Sequence, residues 1–363
     1  MNIIIRTDAS VEIGTGHVMR CLTLAKQLKR HGANVTFVCR ELEGNSISYL
    51  QSENMDVLVV PGIQENSSDL DWVKENMLLD AEETSALLIE KNSRVDVLVV
   101  DHYALDKKWE EKFRSIAIHI FVIDDLANRK HDCDFLLDQN YYVNMEERYN
   151  GLVPEWCDLM LGPDYVLLRD EFIEAAKKMQ VRTSKVENLL VFFGGTDPTG
   201  ETIKALTAIR ELDVTFKNID VVVGLSNPKK NQIRQLCKEV RNTRYHCQVS
   251  NMAELMLKAD LAIGAGGATT WERCILGLPS LSVIVADNQL ELTKTLSTKK
   301  ILLCVELSQQ KINYDFNKKL KDLASNPLRL LEMSKYCREI IRIEKVRTYP
   351  VTSKLMEDLR WNF

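Results

Sequence analysis

The chain has 363 residues, 45% of them hydrophobic and 27% charged, a balance typical of globular proteins that bury their own core. Its net charge of −5 argues against nucleic acid or an acidic membrane surface as the main partner. No apolar run approaches the ~20 residues of a membrane span, and the length predicts two domains.

The chain starts with a short apolar run, three isoleucines followed by a charged residue, which is too short for the apolar part of a secretory signal. We interpret this run as a first β-strand. The nine cysteines are scattered and include no CxxC pair, which favours reduced structural thiols over a zinc site. Both observations predict a cytoplasmic protein.

Short apolar runs rich in β-branched residues alternate with amphipathic segments through the first half of the chain. Runs that are apolar throughout are typical of strands buried on both faces of a parallel sheet. The predicted strands are Asn2–Arg6, Asn34–Cys39, Asp56–Val60, Val95–Asp101, Ile118–Asp124 and Phe135–Asp138. Between the first two lies a helical pattern that begins near His17 and ends at Gly32.

The second half repeats this plan after a polar segment, Lys177–Glu187, that is a candidate linker. Its predicted strands are Asn188–Phe193, Asp220–Gly224, Leu261–Gly264, Ser280–Val285 and Ile301–Val305. We therefore predict an α/β protein with two doubly wound, Rossmann-like parallel-sheet domains that face each other across a cleft. The predicted boundaries are residues 1–178, residues 179–340 and a helical tail over residues 341–363.

The motif EIGTGHVMR places two glycines, Gly14 and Gly16, directly before the first helix. It is not a dinucleotide fingerprint, because the first glycine comes too late after the strand and Met19 stands where the third glycine is needed. The positive end of a helix dipole disfavours protonation of an imidazole, so His17 is suited to accept a proton near neutral pH. The alternative, a histidine that only solvates the helix end, remains open.

In open α/β sheets, ligands bind at the carboxyl ends of the strands, where this sequence places Asp8 and the motif VVDHYALD. Neighbouring residues on a strand point to opposite faces, so only one of Asp101 and His102 faces the site. Tyr103 is suited to bind a sugar hydroxyl or water. A merely polar strand end is the alternative.

Two glycine-rich turns follow strands in the second half. The motif FFGGTD offers the amide of Gly195 to an anionic oxygen and Thr196 as a helix cap. The motif AIGAGGATTWE is a strand, a turn and a helix that together suit a diphosphate over the helix N-terminus, with Glu272 one turn further to accept from ribose hydroxyls. Asn288 and Gln289 end the next strand.

The motifs RTDASVEIGTGHVMRCLTLA, VVDHYALD, LLDQNYY, GPDYVLLRDEF, FFGGTD and AIGAGGATTWERCILGLP resemble those of nucleotide-sugar enzymes with the GT-B architecture. Within that group the sequence is similar to the hydrolase family of pseudaminic acid biosynthesis, known as PseG, which contributes to the glycosylation of flagellin. The resemblance runs from Asn2 to about Thr295. It also implies that the C-terminal tail crosses back to the first domain.

The resemblance implies that water displaces UDP from the anomeric carbon of UDP-2,4-diacetamido-2,4,6-trideoxy-β-L-altropyranose with inversion, without a metal or other cofactor. His17 then matches the general base, with Asp8 and Tyr103 aligning water and sugar. UDP leaves as a stabilised anion, so one base is enough. The remaining predicted substrate contacts are Gly14, Gly16, Arg20, Asn140, Tyr141, Arg169, Gly195, Thr196, Gly266, Gly267, Thr269, Glu272, Asn288 and Gln289.

Several functions remain open from the sequence alone. The nearest alternative is a glycosyltransferase of the same fold, which passes the sugar to an acceptor. A relative associated with spore-coat polysaccharide would differ only in its sugar. A nucleotide-sugar sensor without activity and a dinucleotide oxidoreductase are more distant alternatives. The oligomeric state is not predicted.

Overall fold

The computed structural model describes residues 1–63, 68–90, 94–179, 182, 185–305 and 312–360. The chain divides into two compact units, the first made of Met1–Leu167 and Thr348–Phe363 and the second of Leu168–Arg347. The predicted linker, residues 177–187, lies within the second unit, and its residues 180, 181, 183 and 184 lie outside the described residues. The guanidinium of Arg182 donates to the backbone carbonyls of Met256 and Leu276, which fastens this segment to the second unit.

The first unit contains a parallel sheet with the strand order β3-β2-β1-β4-β5-β6-β7, seven strands among the described residues. They are β1 (Asn2–Thr7), β2 (Asn34–Arg40), β3 (Asp56–Val60), β4 (Val95–Asp101), β5 (Ala117–Ile123), β6 (Phe135–Asp138) and β7 (Asp158–Leu161). The first helices are α1 (Gly16–Arg30), α2 (Ile47–Ser52), α3 (Asp69–Glu75), α4 (Met77–Glu90) and α5 (Lys107–Glu110). Short 3₁₀ turns lie at Glu111–Phe113, Met145–Glu147 and Pro163–Tyr165.

The isoleucines of β1 alternate between two apolar layers, one on each face of this sheet. Ile3 and Ile5 pack in the layer that contains α1, whereas Ile4 packs on the other side of the sheet. Burial on both faces explains why the strands read as continuous apolar runs. Thr7 of β1 lies opposite Asp101 of β4, so the polar residues that follow these strands share one edge.

The second unit contains a parallel sheet with the order β10-β9-β8-β11-β12-β13, six strands in the described ranges. They are β8 (Asn188–Phe192), β9 (Asn218–Val223), β10 (Thr243–Cys247), β11 (Leu261–Ala265), β12 (Ser280–Val283) and β13 (Leu303–Val305). Its helices are α6 (Asp170–Lys177), α7 (Glu201–Glu211), α8 (Lys230–Glu239), α9 (Met252–Lys258), α10 (Thr269–Ile275), α11 (Leu290–Thr298), α12 (Ile312–Ser325), α13 (Pro327–Ile340) and α14 (Ile343–Val346). A 3₁₀ turn lies at Asp287–Gln289.

The C-terminal tail forms α15 (Pro350–Arg360), which belongs to the first unit. Val351 and Leu355 are buried in the same apolar layer as α1. The hydroxyl of Thr352 donates to Oε1 of Gln27 over 3.0 Å. No helix in the described part of the chain combines the length and apolar character that crossing a bilayer requires.

Two strands are absent from the prediction, β7 and β10, and both lie at a sheet edge. An edge strand has one neighbour and is less covered, so its sequence carries more polar residues than a central strand. The sequence TRYHC of β10 shows this, since none of its residues is fully buried. The hydrophobic pattern therefore identifies the central strands and misses these two edges.

Candidate functional site

A glycine turn sets the start of α1. Gly14 adopts a left-handed backbone, with φ of 79°, and its N–H donates to the carbonyl of Ser10 over 2.9 Å. The Ser10 hydroxyl oxygen accepts from the backbone N–H of Ile13 within the same turn. Helix α1 then begins at Gly16, so His17 lies in its first turn, where the helix dipole is positive.

The imidazole of His17 is paired with a buried carboxylate of the adjacent sheet. His17 Nδ1 lies 2.6 Å from Oδ1 of Asp101, the last residue of β4. Burial opposes ionisation of Asp101, but Arg20 and His17 outweigh it and hold the pKa of this carboxyl well below its usual range. An ionised carboxylate only accepts hydrogen bonds, so Nδ1 carries the proton and Nε2 is the unprotonated acceptor.

Arg20, one turn further along α1, holds the same carboxylate. Its Nε donates to Oδ2 of Asp101 over 2.6 Å and its Nη2 donates to Oδ1 over 2.7 Å. Its Nη1 donates to Asp125 over 2.9 Å. The sequence assigns Arg20 to substrate contact, whereas in this structure it is buried and clamps two carboxylates.

Tyr103 completes the surroundings of His17. Its ring packs edge-on against the imidazole, with ring centroids 4.3 Å apart, and its hydroxyl donates to Oδ1 of Asp125 over 2.8 Å. The predicted residues His17, Arg20 and Tyr103 therefore lie together. Asp101 and Asp125, which join them, are missing from the predicted set, although both are the polar residues that follow buried strands.

The side chain of His102 lies on the opposite side of the chain from those of Asp101 and Tyr103. Asp101 and Tyr103 contact His17, whereas His102 Nε2 lies 3.2 Å from Asp8 on the other side. Asp8 is fully buried, and its Oδ1 accepts from Arg6 Nη1 and from the backbone N–H of Arg40. Asp8 is therefore held by contacts with the protein, and its contact with water and sugar stays a prediction.

Asn140 and Tyr141 follow β6, at the same edge of the sheet as Asp101. The backbone N–H of Asn140 donates to Oδ1 of Asp138 over 3.0 Å. Burial, together with the nearby charge of Asp125, raises the pKa of the Asp138 carboxyl to about 8. A protonated carboxyl thus lies beside the predicted sugar contacts at neutral pH.

In the second unit, Glu272 lies on α10 and is held by Arg169. Arg169 Nη2 donates to Oε1 of Glu272 over 2.8 Å, and its Nε donates to the same oxygen over 3.0 Å. Burial raises the pKa of the Glu272 carboxyl against the opposing effect of Arg169. Among the described groups, Oε2 of Glu272 is buried and has no hydrogen-bond partner, which leaves this oxygen available to a hydroxyl donor.

The turn between β11 and α10 requires glycine at Gly266. A Cβ on this residue would lie 2.0 Å from the hydroxyl oxygen of Thr293 on α11, well inside contact distance. Arg273 braces the start of the turn, since its Nη2 donates to the carbonyl of Ala265 over 2.9 Å. The neighbouring Gly267 belongs to the same turn, and Thr269 is the first residue of α10.

The other predicted residues of this unit follow β8 and β12, the two strands that flank β11 in the sheet. Gly195 and Thr196 come after β8, while Asn288 and Gln289 lie in the 3₁₀ turn after β12. The N-cap residue of α7 is Gly200, and the backbone N–H groups of Glu201 and Thr202 donate to the carboxylate of Asp197 and not to the predicted cap, Thr196. The predicted nucleotide contacts therefore share one edge of the second sheet.

Comparison with known proteins places the chain among enzymes that handle nucleotide sugars. Residues 189–345 match the Glycosyltransferase family 28 C-terminal domain. The chain is 29% identical over 301 residues to the UDP-2,4-diacetamido-2,4,6-trideoxy-beta-L-altropyranose hydrolase of Campylobacter jejuni, covering 83% of this chain and 97% of that protein. It is 27% identical to the spore coat polysaccharide biosynthesis protein SpsG of Bacillus subtilis, covering 91% of each.

A third relative, MJ1062 of Methanocaldococcus jannaschii, is 28% identical over 80% of this chain, which spans 57% of that longer protein. Among solved structures, MurG of Acinetobacter baumannii superimposes with a TM-score of 0.61 at 16% identity, over 97% of this chain and 99% of that one. The rhamnosyltransferase SpnG, complexed with thymidine diphosphate, gives 0.59 at 15% identity, over 96% and 99%. The predicted two-domain α/β fold of the GT-B type is confirmed.

Proposed function

We propose that this chain, which belongs to the PseG-like family of the GT-B superfamily, hydrolyses a UDP-linked acetamido sugar and releases UDP and the free sugar. The substrate we propose is UDP-2,4-diacetamido-2,4,6-trideoxy-β-L-altropyranose, on which the Campylobacter relative is named to act. The observation that carries the proposal is the hydrogen bond between His17 Nδ1 and Asp101, which makes Nε2 the proton acceptor.

The proposed reaction is one displacement at the anomeric carbon. Nε2 of His17 takes a proton from water while the water oxygen forms a bond to C1. The bond from C1 to the bridging oxygen breaks, and its electron pair stays on the β-phosphate of UDP. The products are UDP, the sugar with an inverted anomeric centre, and an imidazolium that returns its proton to solvent.

Asp101 supports this step in two ways. It fixes the tautomer and orientation of the His17 ring through Nδ1, and its negative charge stabilises the imidazolium that forms. Arg20 keeps Asp101 ionised and in place through two hydrogen bonds. This arrangement supports the proposal of a general base over that of a histidine that only solvates the helix end.

The second unit is proposed to bind the UDP part. The backbone amides of the turn 264–267 suit the diphosphate, and the unpartnered Oε2 of Glu272 suits a ribose hydroxyl. The match of residues 189–345 to a glycosyltransferase domain supports this assignment. Asn288 and Gln289 extend the same edge of the sheet and are proposed as further contacts.

The experiment is incubation of the purified chain with the UDP-sugar in H₂¹⁸O and without any acceptor. Hydrolysis by attack at C1 gives UDP and a free sugar, with ¹⁸O at C1 of the sugar and none in UDP. NMR of the first product formed shows the inverted anomer. Release of UDP only when an acceptor sugar is added would assign the chain to the transferases instead, and ¹⁸O in UDP would place the cleavage at phosphorus.

A further inference from the structure

His17 belongs to a closed ring of contacts formed by five side chains, which we call the base circuit: His17, Asp101, Arg20, Asp125 and Tyr103. Four of its links are hydrogen bonds, and the fifth is the edge-on packing of Tyr103 against His17. The circuit joins α1 to the carboxyl ends of β4 and β5, two adjacent strands.

From this ring of contacts we infer that Asp125 is a positioning residue that holds the His17 ring from two sides, through Arg20 and through Tyr103. The inference rests on the proposed role of His17 as the base. One carboxylate oxygen of Asp125 accepts from Arg20 Nη1 over 2.9 Å, and the other accepts from the Tyr103 hydroxyl over 2.8 Å. Asp125 itself does not contact the imidazole, so it acts through these two partners.

The position of the Arg20 guanidinium determines whether Oδ1 of Asp101 accepts a hydrogen bond from His17, from Arg20 or from both. Arg20 Nη2 lies 3.2 Å from His17 Nδ1, so both groups approach the same oxygen of Asp101. The bond from Nη1 to Asp125 fixes the guanidinium plane at a point where both can be accommodated. Without it, the guanidinium is held only by its two hydrogen bonds to Asp101, and a small shift towards Oδ1 makes it compete with the imidazole for that oxygen.

Charge gives Asp125 a second effect. With a neutral imidazole, the circuit holds two carboxylates and one guanidinium and is net negative. Protonation of His17 during the reaction brings the circuit to neutrality, which favours proton transfer in a buried site. The further titratable or charged groups that face Asp125 are Arg148, the largely protonated carboxyl of Asp138, and the hydroxyls of Tyr142 and Tyr149. Removal of the Asp125 charge therefore disfavours the imidazolium.

The test is Asp125→Asn, compared with Asp132→Asn as a matched control. Asp132 is also a largely buried carboxylate of the first unit that pairs with an arginine, Arg114, over 2.8 Å. Long-range ¹H–¹⁵N NMR of the six ¹⁵N-labelled histidines, with the His17 signal assigned from the His17→Asn spectrum, reads the tautomer directly. The readout needs no substrate and stays valid if the chain does not hydrolyse UDP-sugars.

In the native protein and in Asp132→Asn, His17 is expected to be a single Nδ1–H tautomer. In Asp125→Asn we expect a mixture of tautomers and an imidazole that protonates at lower pH. With active enzyme, kcat falls about tenfold and the acid limb of the kcat profile moves to lower pH. KM changes less than about twofold, because Asp125 is not among the proposed substrate contacts.

Two results would overturn the inference. One is a native tautomer and a native pH profile in Asp125→Asn. The other is a rise in KM with an unchanged tautomer, which would make Asp125 a substrate contact. If Asp125→Asn does not fold, Asp125→Glu replaces it, since the charge is kept and only the two distances change. A mixed tautomer with an unshifted acid limb is then expected, and a single native tautomer again contradicts the inference.

Discussion

Replacement of the proposed base, His17→Asn, is the sharpest test of the mechanism. The substitution removes the proton acceptor and leaves the Arg20–Asp101 pair with both of its hydrogen bonds. Because the buried Asp101 loses the imidazole but keeps Arg20, the cost in folding stability is that of one hydrogen bond to a charged group, about 1–3 kcal/mol. We therefore expect a folded protein with a changed rate.

The expected loss of rate follows from the step that disappears. A positioned general base contributes about 10²–10⁴-fold, so kcat falls by that factor, which corresponds to about 3–5 kcal/mol of activation free energy. Affinity for UDP should stay within about twofold, because the proposed nucleotide contacts belong to the other unit. The assays are UDP release under saturating substrate and calorimetric titration with UDP.

The control is His31→Asn at the opposite end of the same helix. His31 is exposed, and its Nδ1 contacts only a backbone carbonyl, that of Gln27, among its described hydrogen bonds. This variant should keep the native rate. A near-native rate in His17→Asn would refute the base assignment, and a parallel loss of UDP affinity would show that the ring acts in binding and not in the chemical step.

Three further changes test the rest of the site. Glu272→Gln should weaken UDP binding about tenfold in calorimetry and leave kcat unchanged, since a neutral amide is a poorer acceptor for the ribose hydroxyl than a carboxylate. The control is Glu174→Gln at an exposed position, which should have no effect. Gly266→Ala places a Cβ against Thr293 and should lower UDP affinity more than tenfold, and adding Thr293→Ala should restore part of it. Asp138→Asn should stabilise the fold at pH 8 but not at pH 4 in urea unfolding, because a carboxyl with a pKa raised to about 8 costs stability as pH rises between about 4 and 8.

For each of these three variants, one result would contradict the prediction. Native UDP affinity in Glu272→Gln would remove Glu272 from the nucleotide contacts. A failure of Thr293→Ala to restore binding would mean that Gly266 is needed for its own backbone and not for the space beside Thr293. Equal stability differences at pH 4 and pH 8 would show that Asp138 is ionised in the folded protein.

The central strands and the position of the site are readable from the sequence, because burial on both faces leaves continuous apolar runs that end in polar residues. The partner of His17, in contrast, cannot be read from the sequence. Asp101 and His102 are adjacent, and sequence alone leaves open which of them faces His17, since that depends on the phase of the strand relative to the sheet. The structure fixes this phase through the pairing of Thr7 with Asp101. The edge strands β7 and β10 are missed for the opposite reason, since the pattern is weaker where a strand is exposed, whereas the edges β3 and β13 are predicted.

In the proposed reaction, the leaving group explains why one histidine is sufficient where ordinary glycosidases use two carboxyl groups. A sugar alcohol leaves as a poor anion and needs a proton from an acid, whereas UDP leaves with its charge spread over a diphosphate. Backbone amides and a helix end can stabilise that charge without donating a proton. The remaining task of the proposed mechanism is to deprotonate water, and a neutral imidazole backed by Asp101 is suited to it because its protonation creates no net positive charge in the buried circuit. A carboxylate in place of His17 would add a third negative charge beside Asp101 and Asp125 and would be driven to its protonated form. The buried acids at this sheet edge therefore favour histidine as the base.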